Sequence, residues 1–348
     1  MYTPADGRLT AVGGGRRALM SSREPRRIVY VRTDRLGETL LNLPAIAALK
    51  AARPEAQVTL VAQPELAELL EDDPLLDAVI PYRSGSRATW ALRALRLAAT
   101  LRRCAFDAAI VSNPKQELHL AVWLAGIPMR VGYGRKGGRW WLTHRLEDRK
   151  ALGDRHEVEY NLDLVRALGC PVGTPQWVLP PFDRERAEIL QLLERQGVRP
   201  VDQFVVIHPW SSNPVKQWPP DRYRRLIQDL TERLRVCVVV IGGEEEASRA
   251  GDIVTNARGV VDLIGRLTLR QLAGLLKSAA LLVSSDSGPV HLAAAVRTKT
   301  LVLFGTPNPA TGPTRWGPWG EGHMVIWKPS MAEISVDEVV QALERQLA

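Results

Sequence analysis

The feature that most constrains this fold is the stretch 281–307, with the sequence LLVSSDSGPVHLAAAVRTKTLVLFGTP. Two aliphatic runs, 280–284 and 300–304, flank a polar turn and a short helical segment. Aliphatic runs without polar alternation are typical of strands that are covered on both faces, as in a parallel α/β sheet. The stretch therefore predicts a strand–helix–strand unit. In such sheets, ligands bind where the strands end and the helices begin.

The turn after the first of these strands can bind an anion or can merely cap the helix. A helix that opens at Ser287, Gly288 and Pro289 leaves unpaired main-chain N–H groups, which favour a phosphate. In the alternative interpretation, Asp286 and Ser287 are helix caps and Gly288 is an ordinary turn residue. The complete pattern favours a ligand site, because Asp-Ser-Gly-Pro-Val-His places His291 one turn into the helix and Phe-Gly-Thr ends the next strand.

This pattern resembles the donor site of glycosyltransferase family 9, the lipopolysaccharide heptosyltransferases. Members of the family carry Asp-(Ser/Thr)-Gly-x-x-His-Leu, followed by a strand that ends in (Phe/Tyr)-Gly. The resemblance implies an α/β fold of the GT-B type, with two Rossmann-like lobes whose parallel sheets face each other across a central cleft. It also implies that Asp286 orients the donor sugar, that Ser287 and Gly288 hold its diphosphate, and that His291 supports this loop or touches phosphate.

Composition sets the class of protein. The chain has 348 residues, enough for two domains, and 45% of them are hydrophobic, yet no apolar run reaches the roughly 18 residues of a membrane span. Cys104, Cys170 and Cys237 lie far apart without a CxxC motif, which fits a reducing cytosol and argues against structural zinc. The net charge of +8 favours an anionic partner: a nucleotide, a phosphorylated sugar, a nucleic acid or a membrane surface.

We predict five parts along the chain. The arginine-containing N-terminus lacks the long apolar core of a secretory signal, so we expect a flexible tail. A later segment rich in proline marks a linker between two lobes. The predicted parts are the tail 1–26, an acceptor-binding lobe with the catalytic base 27–170, the linker 171–182, a nucleotide-sugar donor-binding lobe 183–334 and a C-terminal helix 335–348.

The turn after the first strand carries the candidate base. It contains Asp34, Arg35 and Glu38 but no GxGxxG, so the usual dinucleotide fingerprint is absent. A carboxylate at the open end of a strand can act as a general base, whereas Glu38 can also simply complement the dipole of the helix. The resemblance favours the base: Gly37 and Pro44 match the family pattern, and Glu38 replaces the aspartate that deprotonates the acceptor. Asp34 is the second candidate, and we expect Arg35 to pair with it and lower its pKa.

A basic and aromatic segment, 129–141, is the candidate acceptor site. Three of its glycines match GxGxxG, but no amphipathic helix follows, so we expect a mobile loop and not a nucleotide site. Arginine pairs bidentately with carboxylates and phosphates, and the family binds an acidic core oligosaccharide. The candidate acceptor contacts are Lys115, Arg130, Arg135 and Lys136.

A basic helix is predicted at 87–103, with an apolar face opposite Arg93, Arg96 and Arg103. We expect the apolar face to pack on the sheet. An arginine surface that faces a membrane is the alternative.

Two further turns in the second half complete the donor site by resemblance. A strand is followed by Ser211 and Ser212 and then by Lys216-x-Trp-Pro. The loop that contains them can bind a phosphate or can be an ordinary polar loop. The acid Glu244, just past the Gly-Gly that ends the next strand, can accept hydrogen bonds from a ribose or can complement a helix dipole. The family pattern assigns Lys216 to the donor pyrophosphate and Glu244 to the ribose, and it places Leu267 near the adenine.

The resemblance implies an inverting, metal-independent glycosyltransferase that moves heptose from ADP-L-glycero-D-manno-heptose to an acceptor like the lipopolysaccharide core, or to another glycan or a protein. The chain lacks the DxD metal clamp, so we expect no metal and no cofactor. We expect a cytoplasmic enzyme that can touch the inner membrane peripherally and has no nucleic-acid partner. One alternative is a nucleotide-sugar epimerase of the same fold. The other is an inactive carbohydrate-binding homologue, which the unusual Glu38 would favour.

Overall fold

A computed structural model of the chain describes residues 24–134, 138–173, 179–199, 203–254 and 257–347. Two β-sheets of six strands each form its framework. The strands are β1 (Arg27–Val31), β2 (Gln57–Ala62), β3 (Ala78–Pro81), β4 (Ala108–Val111), β5 (Met129–Tyr133), β6 (His144–Leu146), β7 (Phe204–His208), β8 (Cys237–Val240), β9 (Val260–Asp262), β10 (Leu281–Ser285), β11 (Thr300–Gly305) and β12 (Met324–Lys328). The α-helices of the described residues are α1 (Leu36–Leu40), α2 (Leu43–Ala52), α3 (Pro64–Leu70), α4 (Trp90–Arg103), α5 (Gln116–Leu124), α6 (Glu157–Ala167), α7 (Asp183–Arg195), α8 (Pro220–Gln228), α9 (Leu269–Ser278), α10 (Gly288–Ala295), α11 (Pro313–Trp316) and α12 (Val336–Leu347).

Both sheets have the strand order of a doubly wound Rossmann fold. The orders are β3-β2-β1-β4-β5-β6 and β12-β11-β10-β7-β8-β9, and all neighbouring strands are parallel. In each sheet the order reverses beside the first strand, between β1 and β4 and between β7 and β10, and ligands bind at such switch points. The predicted pair of parallel-sheet lobes is confirmed.

The aliphatic strands are covered on both faces, as their sequence predicts. In the first sheet, Val29 and Val31 pack with α4 and α5, whereas Ile28 and Tyr30 face α2 and α6. The second face of the second sheet packs on α8 and α12. One apolar cluster contains residues of β1 and also of β10 and β11, so the two lobes are in direct contact.

The segment 36–52 forms two helices and not one. α1 ends at Leu40, and α2 begins at Leu43 with Pro44 in its first turn. Proline has no N–H and its ring clashes with the preceding turn of a helix, so a continuous helix cannot pass through Pro44. The break turns α1 into a short element that follows β1 directly.

Two outer segments form strands, one of them in the stretch 129–141 that was expected to be a mobile loop. Met129–Tyr133 is β5, paired with β4, and Met324–Lys328 is β12, paired with β11. Both strands lie toward the outside of their sheets, where polar residues interrupt the aliphatic pattern. The turn after β8 continues into a 3₁₀ helix, Glu244–Asp252.

Within the described ranges, no helix combines the length and the apolar character that crossing a membrane requires.

Candidate active site

The loop after β10 holds a buried ion pair. Asp286 follows the strand directly, and its carboxylate pairs with the ammonium of Lys216, which ends the 3₁₀ turn Pro214–Lys216 after β7. The Asp286 side chain is 10% exposed and that of Lys216 is 26% exposed. Burial raises the pKa of Asp286, Lys216 opposes this rise, and the nearby charge of Glu38 adds to it. The loops at the switch point of the second sheet therefore meet through opposite charges.

A second set of contacts, made by His208 at the end of β7, holds the same loop. The Nδ1 atom of His208 lies 3.1 Å from Oγ of Ser284 and 3.1 Å from Oγ of Ser287, and the two hydroxyls are 2.9 Å apart. Burial lowers the pKa of His208 to about 4, so its ring is neutral. Ser287 is thereby engaged, and α10 receives no side-chain cap. Pro289 has no N–H and the Val290 N–H donates to the Ser287 carbonyl at 3.2 Å, so the first turn of α10 leaves the Gly288 N–H to receive an anion.

The loops after β8 and β9 lie beside this centre. Glu246, not Glu244, caps the 3₁₀ helix by accepting a 2.6 Å hydrogen bond from the Gly243 N–H, so the dipole interpretation applies to Glu246. Glu244 is exposed at the head of the same turn. A Cβ on Gly265 would lie 3.2 Å from the Glu244 Cα, which brings the two loops together. Leu267 is half-buried next to them.

Asp34 is held by three partners in the first lobe. Its carboxylate lies 2.8 Å from the Lys115 ammonium and 3.3 Å from the Arg32 guanidinium, and it accepts a 3.1 Å hydrogen bond from the Asn113 amide. Burial raises the pKa of Asp34, but these partners together hold it below its ordinary value. Arg35 is not among them, which corrects the expected pair, because its guanidinium reaches the second lobe and donates to Ser212 at 2.5 Å.

Glu38 has different surroundings. It is half-buried in α1, and its carboxylate makes no hydrogen bond or ion pair with any other described residue. Its charge acts on Asp286 across the gap between the lobes. A carboxylate that has no polar partner among the described residues is free to accept a proton, as a general base does.

A cavity of about 430 Å³ lies at this point. It opens at the carboxyl ends of β1, β2 and β4, the switch point of the first sheet, and α9 of the second lobe closes one side. The residues that line it are Thr33, Asp34, Arg35, Leu36, Glu38, Gln63, Glu65, Leu66, Lys115 and Leu269. Both candidate carboxylates therefore face the same space.

The predicted acceptor contacts do not come together. Lys115 lines the cavity, although Asp34 occupies its ammonium. Arg130 turns away and donates to the carbonyls of Ile127, Pro128 and Trp141, so the structure does not bring it to the site. Arg135 and Lys136 lie outside the described residues. The correction for Arg130 has a simple cause: the residue belongs to β5 and not to a loop.

The sequence did not reveal an ionic cluster behind Asp34. Glu157, 1% exposed, accepts from Lys150 at 2.5 Å and from Nη2 of Arg315 at 3.0 Å, and Arg32 lies 3.7 Å from it. Arg315 comes from α11 in the second half of the chain, so the cluster joins the lobes. The one available signal was Arg32 itself, a cation directly after the four buried residues that end β1.

The sequence and the fold of this chain match those of one known protein family. The family model described as glycosyltransferase family 9 (heptosyltransferase) matches residues 94–343. Lipopolysaccharide heptosyltransferase 3 of Escherichia coli (strain K12) is 26% identical, over 89% of this chain and 95% of that protein. The family 9 glycosyltransferase of Veillonella parvula superposes with a TM-score of 0.83 at 22% identity, over 92% of this chain and 97% of that one. The E. coli heptosyltransferase WaaC, solved with ADP, gives a TM-score of 0.70 at 21% identity, over 92% and 99% of the two chains. With a family model that spans most of its length, this chain is a glycosyltransferase that belongs to family 9, the heptosyltransferases.

Proposed function

We propose that this enzyme transfers heptose from ADP-L-glycero-D-manno-heptose to an acceptor of the lipopolysaccharide-core type, with inversion and without a metal. The observation that carries the proposal is the free Glu38 carboxylate opposite the Asp286 loop, at the switch points of the two sheets. The donor identity rests on the relatives, one of which is a structure with ADP.

The donor belongs in the second lobe. The ammonium of Lys216 has three protons and uses one for Asp286, so the others are free to bind the diphosphate. The uncapped N-terminus of α10 adds the main-chain N–H of Gly288. Together they stabilise the negative charge that grows as ADP departs. Asp286 then holds hydroxyls of the heptose, and Glu244 holds those of the ribose.

The acceptor hydroxyl belongs in the cavity of the first lobe. Glu38 takes its proton while the oxygen attacks the anomeric carbon. The bond from that carbon to the diphosphate oxygen breaks as the new bond forms, and ADP leaves with the bonding electrons. Because attack and departure occur on opposite faces in one displacement, the anomeric configuration inverts. Glu38 is the base and not Asp34, since Arg32, Lys115 and Asn113 already stabilise the Asp34 carboxylate.

A membrane surface is the proposed setting of this reaction, on the cytoplasmic side. The outer face of α4 supports it: Leu92 and Leu95 are 47% and 54% exposed, and the helix contains arginines but no acidic residue. Arg93, expected on this face, instead pairs with Glu117 of α5 at 2.5 Å. Arg96 and Arg103 remain exposed beside the two leucines.

One assay separates the candidate functions. The purified protein is incubated with ADP-heptose, with and without lipopolysaccharide core acceptors and with excess EDTA. We expect ADP and a heptosylated acceptor only when both substrates are present, at a rate that EDTA leaves unchanged. An isomerised nucleotide sugar without acceptor would indicate an epimerase, and ADP-heptose binding without any product would indicate the inactive homologue. Loss of activity in EDTA that magnesium restores would contradict the metal-free mechanism.

A further inference from the structure

α1 of the first lobe and α10 of the second approach each other through a pair of glycines. A Cβ atom on Gly37 would lie 2.5 Å from Cδ2 and 3.3 Å from Nε2 of His291. A Cβ atom on Gly288 would lie 3.2 Å from two side-chain carbons of Leu36. Each glycine thus provides the space that a side chain of the opposite lobe fills.

The backbone does not explain the glycine at position 37. Gly37 lies inside α1, and it is not among the glycines with a left-handed φ. Alanine would be the better helix former at such a position. The His291 ring excludes it, because real Cβ contacts are essentially never as short as 2.5 Å.

The ring itself has no room to retreat. His291 is 3% exposed, between other buried residues of α10. Its Nδ1 atom is buried and has no hydrogen-bond partner in the described part of the chain, so no hydrogen bond at that nitrogen holds the ring. The ring does not line the first-lobe cavity that Glu38 faces.

We infer that His291 is a positioning residue: it seats on Gly37 and thereby sets the separation between the Glu38 carboxylate and the donor loop that holds Asp286. Glu38 follows Gly37 directly in α1, and Asp286 immediately precedes the N-terminal turn of the helix that carries His291. The contact lies between the lobes, so it fixes base and donor relative to each other. This inference rests on the proposed function, in which Glu38 must reach an acceptor hydroxyl next to the donor's anomeric carbon.

The test compares Gly37→Ala alone, whose new methyl group clashes with the His291 ring, with the double variant that also removes this ring. Gly37→Ala adds a methyl group against the ring and pushes α1 from α10. Displacement of a reacting group by about 1 Å can cost 10²-fold, so we expect kcat for heptosyl transfer to fall by roughly that factor. ADP affinity, measured by calorimetry, should stay within about twofold, because the donor site lies in the other lobe. Gly37→Ala with His291→Ala should recover at least about tenfold of the lost kcat, since the second change removes the obstructing ring.

The matched control is Gly251→Ala, in which the new methyl group meets nothing within 4 Å. It should leave kcat and ADP affinity unchanged. Wild-type kcat in Gly37→Ala, or a double variant no better than Gly37→Ala, would overturn the inference. His291→Ala alone covers the case in which Gly37→Ala fails to fold, because it only removes atoms. It should lower kcat and keep ADP affinity, whereas weaker ADP binding with unchanged kcat would show that His291 contacts the donor after all.

Hydrogen exchange separates this inference from the proposed function. The Leu41 N–H donates to the Gly37 carbonyl, so its exchange reports on α1 without any catalysis. Faster exchange in Gly37→Ala that the double variant reverses supports the contact even if the wild type transfers no heptose. Unchanged exchange in Gly37→Ala would overturn the contact even if the wild type is an active heptosyltransferase.

Discussion

Asp34 and Glu38 line the same cavity, yet their carboxylates differ in their partners. Asp34 contacts two cations and an amide, whereas the Glu38 carboxylate has no polar partner among the residues that the structure describes. A carboxylate with a lowered pKa is a weak base, so these surroundings, and not the residue types, divide the roles. The sequence named both residues but could not rank them from spacing, because Asn113 and Lys115 come close to Asp34 only in the folded chain.

Glu38→Gln tests the base directly. Glutamine keeps the shape but cannot accept the proton, so we expect kcat to fall about 10²–10⁴-fold while calorimetry shows unchanged ADP binding. Asp34→Asn is the matched control and should cost less. Near-normal turnover in Glu38→Gln, combined with loss in Asp34→Asn, would transfer the role to Asp34.

Lys216→Ala tests the diphosphate contact. Removal of a charge-assisted hydrogen bond should weaken ADP binding by about 1.5–3 kcal/mol. Lys299→Ala, at an exposed lysine near the other end of the same sheet, should leave the affinity unchanged. Equal ADP affinity in the wild type and in Lys216→Ala would exclude this lysine from the donor site.

Among the elements, the buried strands were the most predictable and the outer ones the least. Every residue of β10 and β11 is buried, each strand has a run of three aliphatic residues, and the bounds of both were predicted within one residue. β5 contains Arg130 and Gly132, and β12 exposes Val325 and Trp327, so neither has a continuous aliphatic run. Both form strands because they pair with a neighbouring strand, and the local sequence pattern gives no information about that pairing.

α4 provides a prediction at this scale. Its outer face combines exposed leucines with arginines, so it should bind vesicles that contain anionic lipid. Arg96→Glu with Arg103→Glu should weaken sedimentation with such vesicles at least about tenfold, since each arginine near an anionic surface contributes about 1 kcal/mol. Arg195→Glu, an exposed arginine on α7, is the control. Equal binding by all three proteins, or binding to neutral vesicles alone, would rule out α4 as the membrane contact.

At the scale of the whole molecule, the lobes are joined by charges as well as by apolar contacts. Arg315 reaches Glu157, Arg35 reaches Ser212, and the His156 ring nitrogen lies 2.9 Å from the Gly317 carbonyl. A chain of ion pairs runs from Arg315 through Glu157 and Arg32 to Asp34 in the cavity wall. The two-lobe fold could be predicted from local patterns. These contacts could not, because they join residues more than a hundred positions apart.

Glu157→Gln tests the energetic weight of this junction. Removing one partner of a buried ion pair leaves uncompensated charge, so we expect a loss of about 3–5 kcal/mol in the free energy of unfolding in urea. Glu147→Gln, at a 73% exposed carboxylate paired with Arg149, should change it by less than about 0.5 kcal/mol. A similar small change in both variants would mean that Lys150, Arg32 and Arg315 are accommodated without Glu157.

The parallel topology also dictates an order of events while the chain leaves the ribosome. β1 and β7 are the first strands of their sheets to be made, yet each pairs with a strand translated long afterwards, Val31 with Val111 and His208 with Ser284. Until then the aliphatic edge of each central strand is open to wrong partners, a hazard of non-local pairing. The ion pair between Glu157 and Arg315 forms later still, because Arg315 is translated near the end of synthesis. The nascent first lobe therefore has to bury Glu157 before its partner Arg315 exists. The ion-pair cluster is completed only in the last stage of translation.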